Sequence, residues 1–203
     1  MGFRFNRKVG WLATVLLGAR VAALANSSQD NTTITILVID SARVSAPVLG
    51  QSEAEAARIF RAAGIETAWV NCPTEPESEV DACRIVPGAN EFVLHIVPSG
   101  KTSSDSVFGV SFLGEDGSGK YSNVFYERVA EAHHEWGADV ATLLGTVAAH
   151  ELGHLLLGTR AHSHAGIMTP VWESESLRQI GMGGLRFTHE QSSLMKARLG
   201  SGK

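Results

Sequence analysis

A short run of residues suited to metal chemistry, His150-Glu151-Leu152-Gly153-His154, lies inside a long apolar stretch of the chain. Two histidines four positions apart lie on one face of an α-helix, so both imidazoles can reach a single zinc ion. The glutamate lies beside that ion, where it can accept a proton from a zinc-activated water without being a ligand itself. The motif therefore predicts His150 and His154 as metal ligands and Glu151 as a general base.

A third ligand has to come from the chain that follows this motif. Gly158 can adopt the left-handed conformation that ends a helix and lets the backbone turn back toward the metal. A histidine after that turn would leave one coordination position open for water, as catalytic zinc requires. His162 and His164 both follow the turn, and Met168 comes a few residues later, where it fits a tight turn beneath the ligands.

With these residues the chain resembles the metzincin clan of zinc peptidases, and within that clan the matrixins. Their pattern is H-E-x-x-H-x-x-G-x-x-H, followed by a turn that carries a methionine. The resemblance implies a set of site residues: His150, His154 and His162 as zinc ligands, Glu151 as general base, Gly158 at the turn and Met168 in the methionine turn. The glycine comes one residue later than in the pattern, and one extra residue also separates it from the third histidine. Arg160 consequently stands where a strict match has histidine.

Two alternatives for the third ligand stay open. His164 is the reserve candidate, although a serine follows His162 as it does in matrixins. Thermolysin-like enzymes instead take a glutamate from a later helix, and Glu173 and Glu175 stand near the distance expected for that ligand. We favour a solvated loop or the start of a helix for these glutamates, because the thermolysin pattern gives no role to the glycine, the later histidines or the methionine.

The N-terminal segment predicts export. A basic start is followed by an apolar stretch and by Ala23-Leu24-Ala25, which precedes a polar run. This order indicates a secretory signal peptide over residues 1–25, cleaved after Ala25, and a zinc metallopeptidase domain over residues 26–203. An uncleaved anchor is the alternative, although the apolar stretch is short for a membrane span. We expect a secreted or periplasmic protein with no stable membrane span.

Charge and cysteine content limit the partners and the compartment. Without residues 1–25 the chain has 13 basic and 21 acidic residues, a net charge of −8. This balance argues against nucleic acid and anionic membranes as partners. Cys72 and Cys83 are expected to form a disulfide in an exported chain, with two buried thiols as the alternative. We expect a monomer.

The hydrophobic pattern predicts a mixed order of strands and helices. Five strands are expected, at Thr33–Ile39, Ile65–Val70, Glu91–Val97, Val107–Leu113 and Tyr121–Tyr126. Four helices are expected: one opened by a capping box of Ser52 and Glu55 and ending near Gly64, one over Phe125–Glu135, the motif helix capped by Asp139, and a last helix opened by Thr188 and Gln191.

The first strand, helix and second strand make a βαβ unit, which implies parallel pairing. The resemblance adds an α/β (α+β) fold, in which a twisted, mixed five-stranded sheet packs on the motif helix and the crossover helix, with a further helix at the C-terminus. The glycine-rich link between the fourth and fifth strands offers Glu115 and Asp116 to a Ca²⁺ ion. It lacks the EF-hand spacing, so a plain hairpin loop is the favoured interpretation.

The resemblance implies a secreted, zinc-dependent endopeptidase that acts on a protein or peptide substrate. The substrate would pair as an extra strand along an edge of the sheet, expected at Val107–Leu113. One alternative is a non-catalytic protein that binds zinc or a partner on the same fold. Another is a zinc amidase acting on cell-wall material. Glu151 favours an enzyme, because a purely structural zinc site has no use for a base.

Overall fold

A twisted, mixed sheet of five strands forms the frame of the molecule. In this computed structural model, which describes residues 32–73, 83, 86–100, 107–172 and 174–201, the strands are β1 (Thr32–Asp40), β2 (Ile65–Cys72), β3 (Glu91–Val97), β4 (Gly109–Phe112) and β5 (Tyr121–Phe125). Their order across the sheet is β2-β1-β3-β5-β4. Only β4 runs antiparallel to its neighbour, and the other pairs are parallel. The predicted mixed sheet is therefore confirmed, and β4 lies at one edge of it.

One face of the sheet is buried by helices. Alternate residues of a strand point to the same face, and Ile34, Ile36 and Val38 of β1 are all almost fully buried. On β3 the corresponding buried residues are Phe92, Leu94 and Ile96. The buried residues of both strands belong to one continuous hydrophobic core. The dense β-branched pattern of the first strand thus reflects burial against the helix layer.

Five helices accompany the sheet: α1 (Ala46–Ala62), α2 (Tyr126–Trp136), α3 (Val140–Leu157), α4 (Ser174–Gly181) and α5 (His189–Gly200). The βαβ prediction is confirmed, because α1 connects the parallel strands β1 and β2. Helix α3 packs against α1, α2 and α5, and it contacts β4 and β5 at the sheet edge. It is therefore the central helix of the core.

The predicted start of α1 at Ser52 is wrong. The helix begins at Ala46 with Ser45 as its N-cap, and Pro47 stands in its first turn. Proline is favoured there because the first-turn N–H groups have no partner within the helix. Ser52 is instead buried inside the helix, where its hydroxyl donates to Leu49 O at 2.7 Å. Glu55, the second residue of the expected capping box, instead accepts hydrogen bonds from the guanidinium of Arg58.

Other boundaries differ less. Strand β4 is shorter than predicted, and helix α4 was not expected as a separate element.

The disulfide between Cys72 and Cys83 is present, with the two Cα atoms 5.7 Å apart. The predicted signal peptide, residues 1–25, lies outside the described residues.

Helix α3 is unusually apolar. Among the described residues it alone is long and apolar enough to cross a membrane. Most of it is nevertheless buried inside the molecule, against the sheet and the other helices. We therefore interpret α3 as a core helix, which is apolar nearly all round because it is covered on most sides.

Candidate metal centre

Helix α3 holds the motif in a fixed position because both its ends are capped. Asp139 accepts a hydrogen bond from the backbone N–H of Thr142 at 2.8 Å, as the sequence predicted. At the other end Gly158 adopts φ of 65°, and its N–H donates to His154 O. A left-handed residue at this point ends the helix and turns the chain back toward it.

Three imidazoles converge beside this helix end. The side chains of His150, His154 and His162 offer nitrogen atoms that all lie within 4.8 Å of one another. The Nε2 atoms of His150 and His154 are 3.1 Å apart. Two nitrogens bound to tetrahedral zinc at the usual bond length are about 3.3 Å apart. The three histidines therefore provide the donor set of a zinc site, and His150 and His154 have the spacing of two ligands on one ion.

The main chain orients two of these rings. His150 Nδ1 lies 2.7 Å from Ile167 O, and His154 Nδ1 lies 2.8 Å from Thr159 O. A carbonyl can only accept a hydrogen bond, so each Nδ1 carries the proton and donates it. Each Nε2 is left with a free lone pair, as in metal-binding histidines whose second nitrogen donates to a carbonyl.

A tight turn below α3 supplies one of these carbonyls. Thr169 N–H donates to Gly166 O, so Ile167 and Met168 occupy the corners of the turn. Met168 is buried, and its sulfur lies 2.8 Å from where a Cβ on Gly153 would be. The predicted turn carrying Met168 beneath the motif helix is thus observed, and it holds the ring of His150 from below.

The surroundings of the three imidazoles favour their neutral form. Burial, together with the nearby His154 and His162, lowers the pKa of His150 to about 4 against an opposing effect of its bond to Ile167. Burial also lowers the pKa of His154 and of His162 below the ordinary histidine value. Neutral imidazole is the form that binds a metal ion, so the environment of these rings favours ligation at neutral pH.

Glu151 is buried next to the three histidines and contacts the edge strand. Its side chain is 6% exposed, and burial raises its pKa to about 7, against the effect of a hydrogen bond from Ser111. Ser111 Oγ on β4 lies 2.6 Å from Glu151 Oε2. Gly109 on the same strand leaves room for this carboxylate, since a Cβ there would lie 2.8 Å from Oε1.

An open cleft of about 590 Å³ leads to these residues. One wall is β4, another is the exposed face of α2, and the third is the segment 169–172. The wall nearest His150 is aromatic: Trp172 lies edge-on to that ring at 5.7 Å and stacks on Phe108 at 5.9 Å. A cleft of this size can bury most of the surface of a ligand beside the histidines.

The other candidate ligands take different positions. His164 is exposed and does not belong to the group of three. Glu173 and the side chain of Glu175 lie outside the described residues. Arg160, at the position where a strict pattern has histidine, donates a hydrogen bond to Leu113 O and so ties the loop after α3 to the end of β4. The candidate calcium ligand Asp116 accepts hydrogen bonds from Ser118 in a tight loop, and a Ca²⁺ site there stays a prediction.

The sequence matches no protein-family model and no curated protein, but solved structures do match the fold. A zinc-dependent peptidase from Methanocorpusculum labreanum (strain Z) has a TM-score of 0.52 and 14% identity, and the match covers 79% of this chain and 99% of that one. The archaemetzincin of Methanopyrus kandleri has a TM-score of 0.50 and 18% identity, with 87% of this chain and 99% of that one covered.

The chain shares the fold of these two proteins. The metallopeptidase fold predicted from the sequence is confirmed, whereas the closer resemblance to matrixins stays a prediction. Within this peptidase fold, four groups that shape the site had not been predicted: the carbonyls of Thr159 and Ile167, the hydroxyl of Ser111 and the bare backbone of Gly109. No pattern of residue types signals a carbonyl, and the two β4 residues reach Glu151 across about forty residues of chain.

Proposed function

We propose that this protein is a zinc-dependent endopeptidase whose zinc is held by His150, His154 and His162. The observation that carries the proposal is the convergence of three neutral imidazoles beside a buried carboxylate, at the base of an open cleft. The two structural neighbours named as a zinc-dependent peptidase and an archaemetzincin support the same class of reaction.

Each group around the histidines has a separate role in the proposed hydrolysis. Zinc, when bound, supplies a Lewis acid that polarises the scissile carbonyl and lowers the pKa of water. Glu151 takes the proton of the attacking water and later gives it to the nitrogen of the leaving amine. The carbonyls of Thr159 and Ile167 keep two imidazoles in the tautomer and orientation that ligation needs. Trp172 shields the site from bulk solvent on one side.

We propose that the substrate binds as an extended strand along β4. Among the described strands β4 pairs only with β5, and residues 109–111 line one wall of the cleft. Val110, which faces the cleft, is 37% exposed, so an apolar side chain is available to a peptide. Pairing through main-chain hydrogen bonds accepts many sequences, and specificity would come from the pockets beside the strand.

We also propose that the protein is exported. The signal-peptide pattern of residues 1–25 supports this, and so does the disulfide between Cys72 and Cys83. Structural disulfides persist mainly in oxidising compartments such as the periplasm or the cell exterior. Sequencing the N-terminus of the secreted protein tests the proposed cleavage after Ala25.

A Glu151→Gln variant tests the proposed function. We expect the wild-type mature chain to bind one equivalent of zinc and to cleave casein, and the variant to keep the metal and lose hydrolysis. Peptidoglycan fragments assayed in parallel separate a peptidase from a cell-wall amidase. A wild-type protein that binds zinc and cleaves neither substrate would instead be a zinc-binding protein, contrary to the proposal.

Histidine variants test the ligand assignment. Alanine at position 150, 154 or 162 is expected to lower zinc affinity steeply, because each variant removes one of three ligands. His164→Ala is the matched control, since His164 is exposed and two residues from His162. Loss of zinc in His164→Ala with normal binding in His162→Ala would overturn the assignment.

A further inference from the structure

The hydroxyl of Ser111 forms the most direct polar contact with the carboxylate of Glu151. Its Oγ lies 2.6 Å from Oε2 and 2.7 Å from the main-chain oxygen of the same residue. A serine hydroxyl has one proton, so it can donate to either oxygen while its lone pairs stay available as acceptors. The contact joins the edge strand that walls the cleft to the centre of α3.

We propose that Ser111 is a positioning residue of the peptidase reaction, which holds Oε2 of Glu151 and so leaves Oε1 as the oxygen that accepts the proton from water. This inference rests on the proposed function. It assigns different tasks to the two oxygens of one carboxylate, and it gives Ser111 a role that the motif itself does not contain.

The chemistry follows from the hydrogen bond. An oxygen that already accepts a strong hydrogen bond is the weaker base of the pair, so the proton goes to the other oxygen. The water O–H bond breaks, its proton binds Oε1, and the remaining hydroxide forms the new C–O bond at the scissile carbonyl. The proton then passes from Oε1 to the amine nitrogen as the C–N bond breaks. Ser111 keeps its own proton throughout.

The position of Ser111 suits this task. A glutamate side chain has several rotatable bonds, and a base is effective only when it is held at hydrogen-bond distance from the proton it takes. A hydroxyl on a strand that is packed against α3 fixes one oxygen of that side chain. The neighbouring Gly109 has no side chain of its own to occupy the space beside Oε1.

Two pairs of variants test the inference. Ser111→Thr and Ser111→Val have nearly the same shape and differ by a hydroxyl, so their comparison separates the hydrogen bond from packing. Ser111→Ala is compared with Ser122→Ala. Ser122 lies directly opposite Ser111 in the β4–β5 ladder and is buried, and its hydroxyl has no hydrogen-bond partner among the described residues.

We expect Ser111→Ala and Ser111→Val to bind zinc fully and to lose about 10- to 100-fold in kcat, with KM nearly unchanged. Ser111→Thr should recover most of the loss, and Ser122→Ala should resemble the wild type. Equal kcat for the Thr and Val variants, or equal losses for the two alanine variants, would overturn the inference.

A crystal structure of the zinc form of Ser111→Val provides a readout that does not depend on activity. We expect the Glu151 carboxylate to leave its wild-type position or to occupy more than one. A carboxylate that stays in the same single position overturns the inference. A wild-type protein without hydrolytic activity would contradict the proposed function instead, and the crystal structures would still decide whether Ser111 positions Glu151.

Discussion

Gly109 offers the sharpest test of how closely the edge strand and the carboxylate of Glu151 are fitted together. A Cβ at this position would lie 2.6 Å from Asn123 O, 2.7 Å from Glu151 Cγ and 2.8 Å from Glu151 Oε1. Gly109→Ala therefore introduces one methyl group into a space where neither neighbour can accept it without moving.

The size of the effect can be worked out from these distances. Cβ atoms essentially never approach another heavy atom within 3.0 Å, and ordinary contact begins at 3.4 Å. Asn123 O must therefore separate from the new methyl group by about 0.4 to 0.8 Å, and the two Glu151 atoms by about 0.2 to 0.7 Å. Asn123 O belongs to the backbone of the partner strand β5, which makes the Glu151 side chain the easier group to displace. Overpacking of this kind costs about 1–3 kcal/mol of stability. A displacement approaching 1 Å at a reacting group lowers the rate by up to about 10²-fold.

We expect Gly109→Ala to bind zinc through its intact histidines, to melt at a lower temperature and to lose about 10- to 100-fold in kcat. Thermal unfolding, metal content and steady-state hydrolysis of casein peptides measure the three quantities. Gly50→Ala is the matched control, because Gly50 lies within α1 and a Cβ there meets nothing within 4 Å. That variant should gain up to about 1 kcal/mol of stability at unchanged activity.

An alanine at position 109 that lowers stability while kcat stays at the wild-type value would refute this reasoning. In that case the backbone of β5, and not Glu151, would have moved to make room. Wild-type stability together with wild-type kcat would show that the strand and the helix are less closely packed than the distances indicate.

Three further predictions concern the elements that support the site. Asp139→Ala removes the N-cap of α3 and should cost about 1 kcal/mol at neutral pH. Hydrogen bonds from Thr142 hold the pKa of Asp139 below its ordinary value. The stabilisation by this cap is therefore present above the unfolded-state pKa and is lost as pH falls through the folded pKa. The free energies of urea unfolding of the two proteins should converge in acid, and a constant difference would contradict this. Replacing Cys72 and Cys83 by serine should cost about 2–3 kcal/mol, measured by the same method, and unchanged stability would argue against the disulfide. Gly158→Ala places a side chain at φ of 65° and within 2.4 Å of the Arg198 guanidinium. The melting temperature and the zinc affinity should therefore both fall. A loss of stability alone would mean that the Thr159 carbonyl is held independently of this turn.

Much of the fold could be predicted from the sequence because burial has a clear periodicity. The strands, the βαβ unit and the two helices capped by Asp139 and Thr188 were all expected, and the capping box of Thr188 and Gln191 is present. The start of α1 could not be predicted correctly, because the Ser52 pattern competes with a proline at position 47. Only tertiary packing, which buries Ser52 inside the helix, decides between the two.

The structure brings the three predicted histidines together, whereas the main-chain and strand groups that contact the site were not predicted. Helical spacing alone brings His150 and His154 together, but the choice between His162 and His164 depends on the path of the loop. That path is fixed by a local contact, in which Ser163 N–H donates to Met168 O, and by a long-range contact, in which Gln191 Nε2 on α5 donates to Ser163 Oγ. The spacing of the histidines along the chain reveals neither contact.

The acceptors that orient His150 and His154 are backbone oxygens at positions 167 and 159. Every amino acid carries such an oxygen, so evolution can exchange the side chains at these two positions without turning the rings. The orientation of the two rings therefore depends on the path of the backbone at these two positions and not on which side chains stand there.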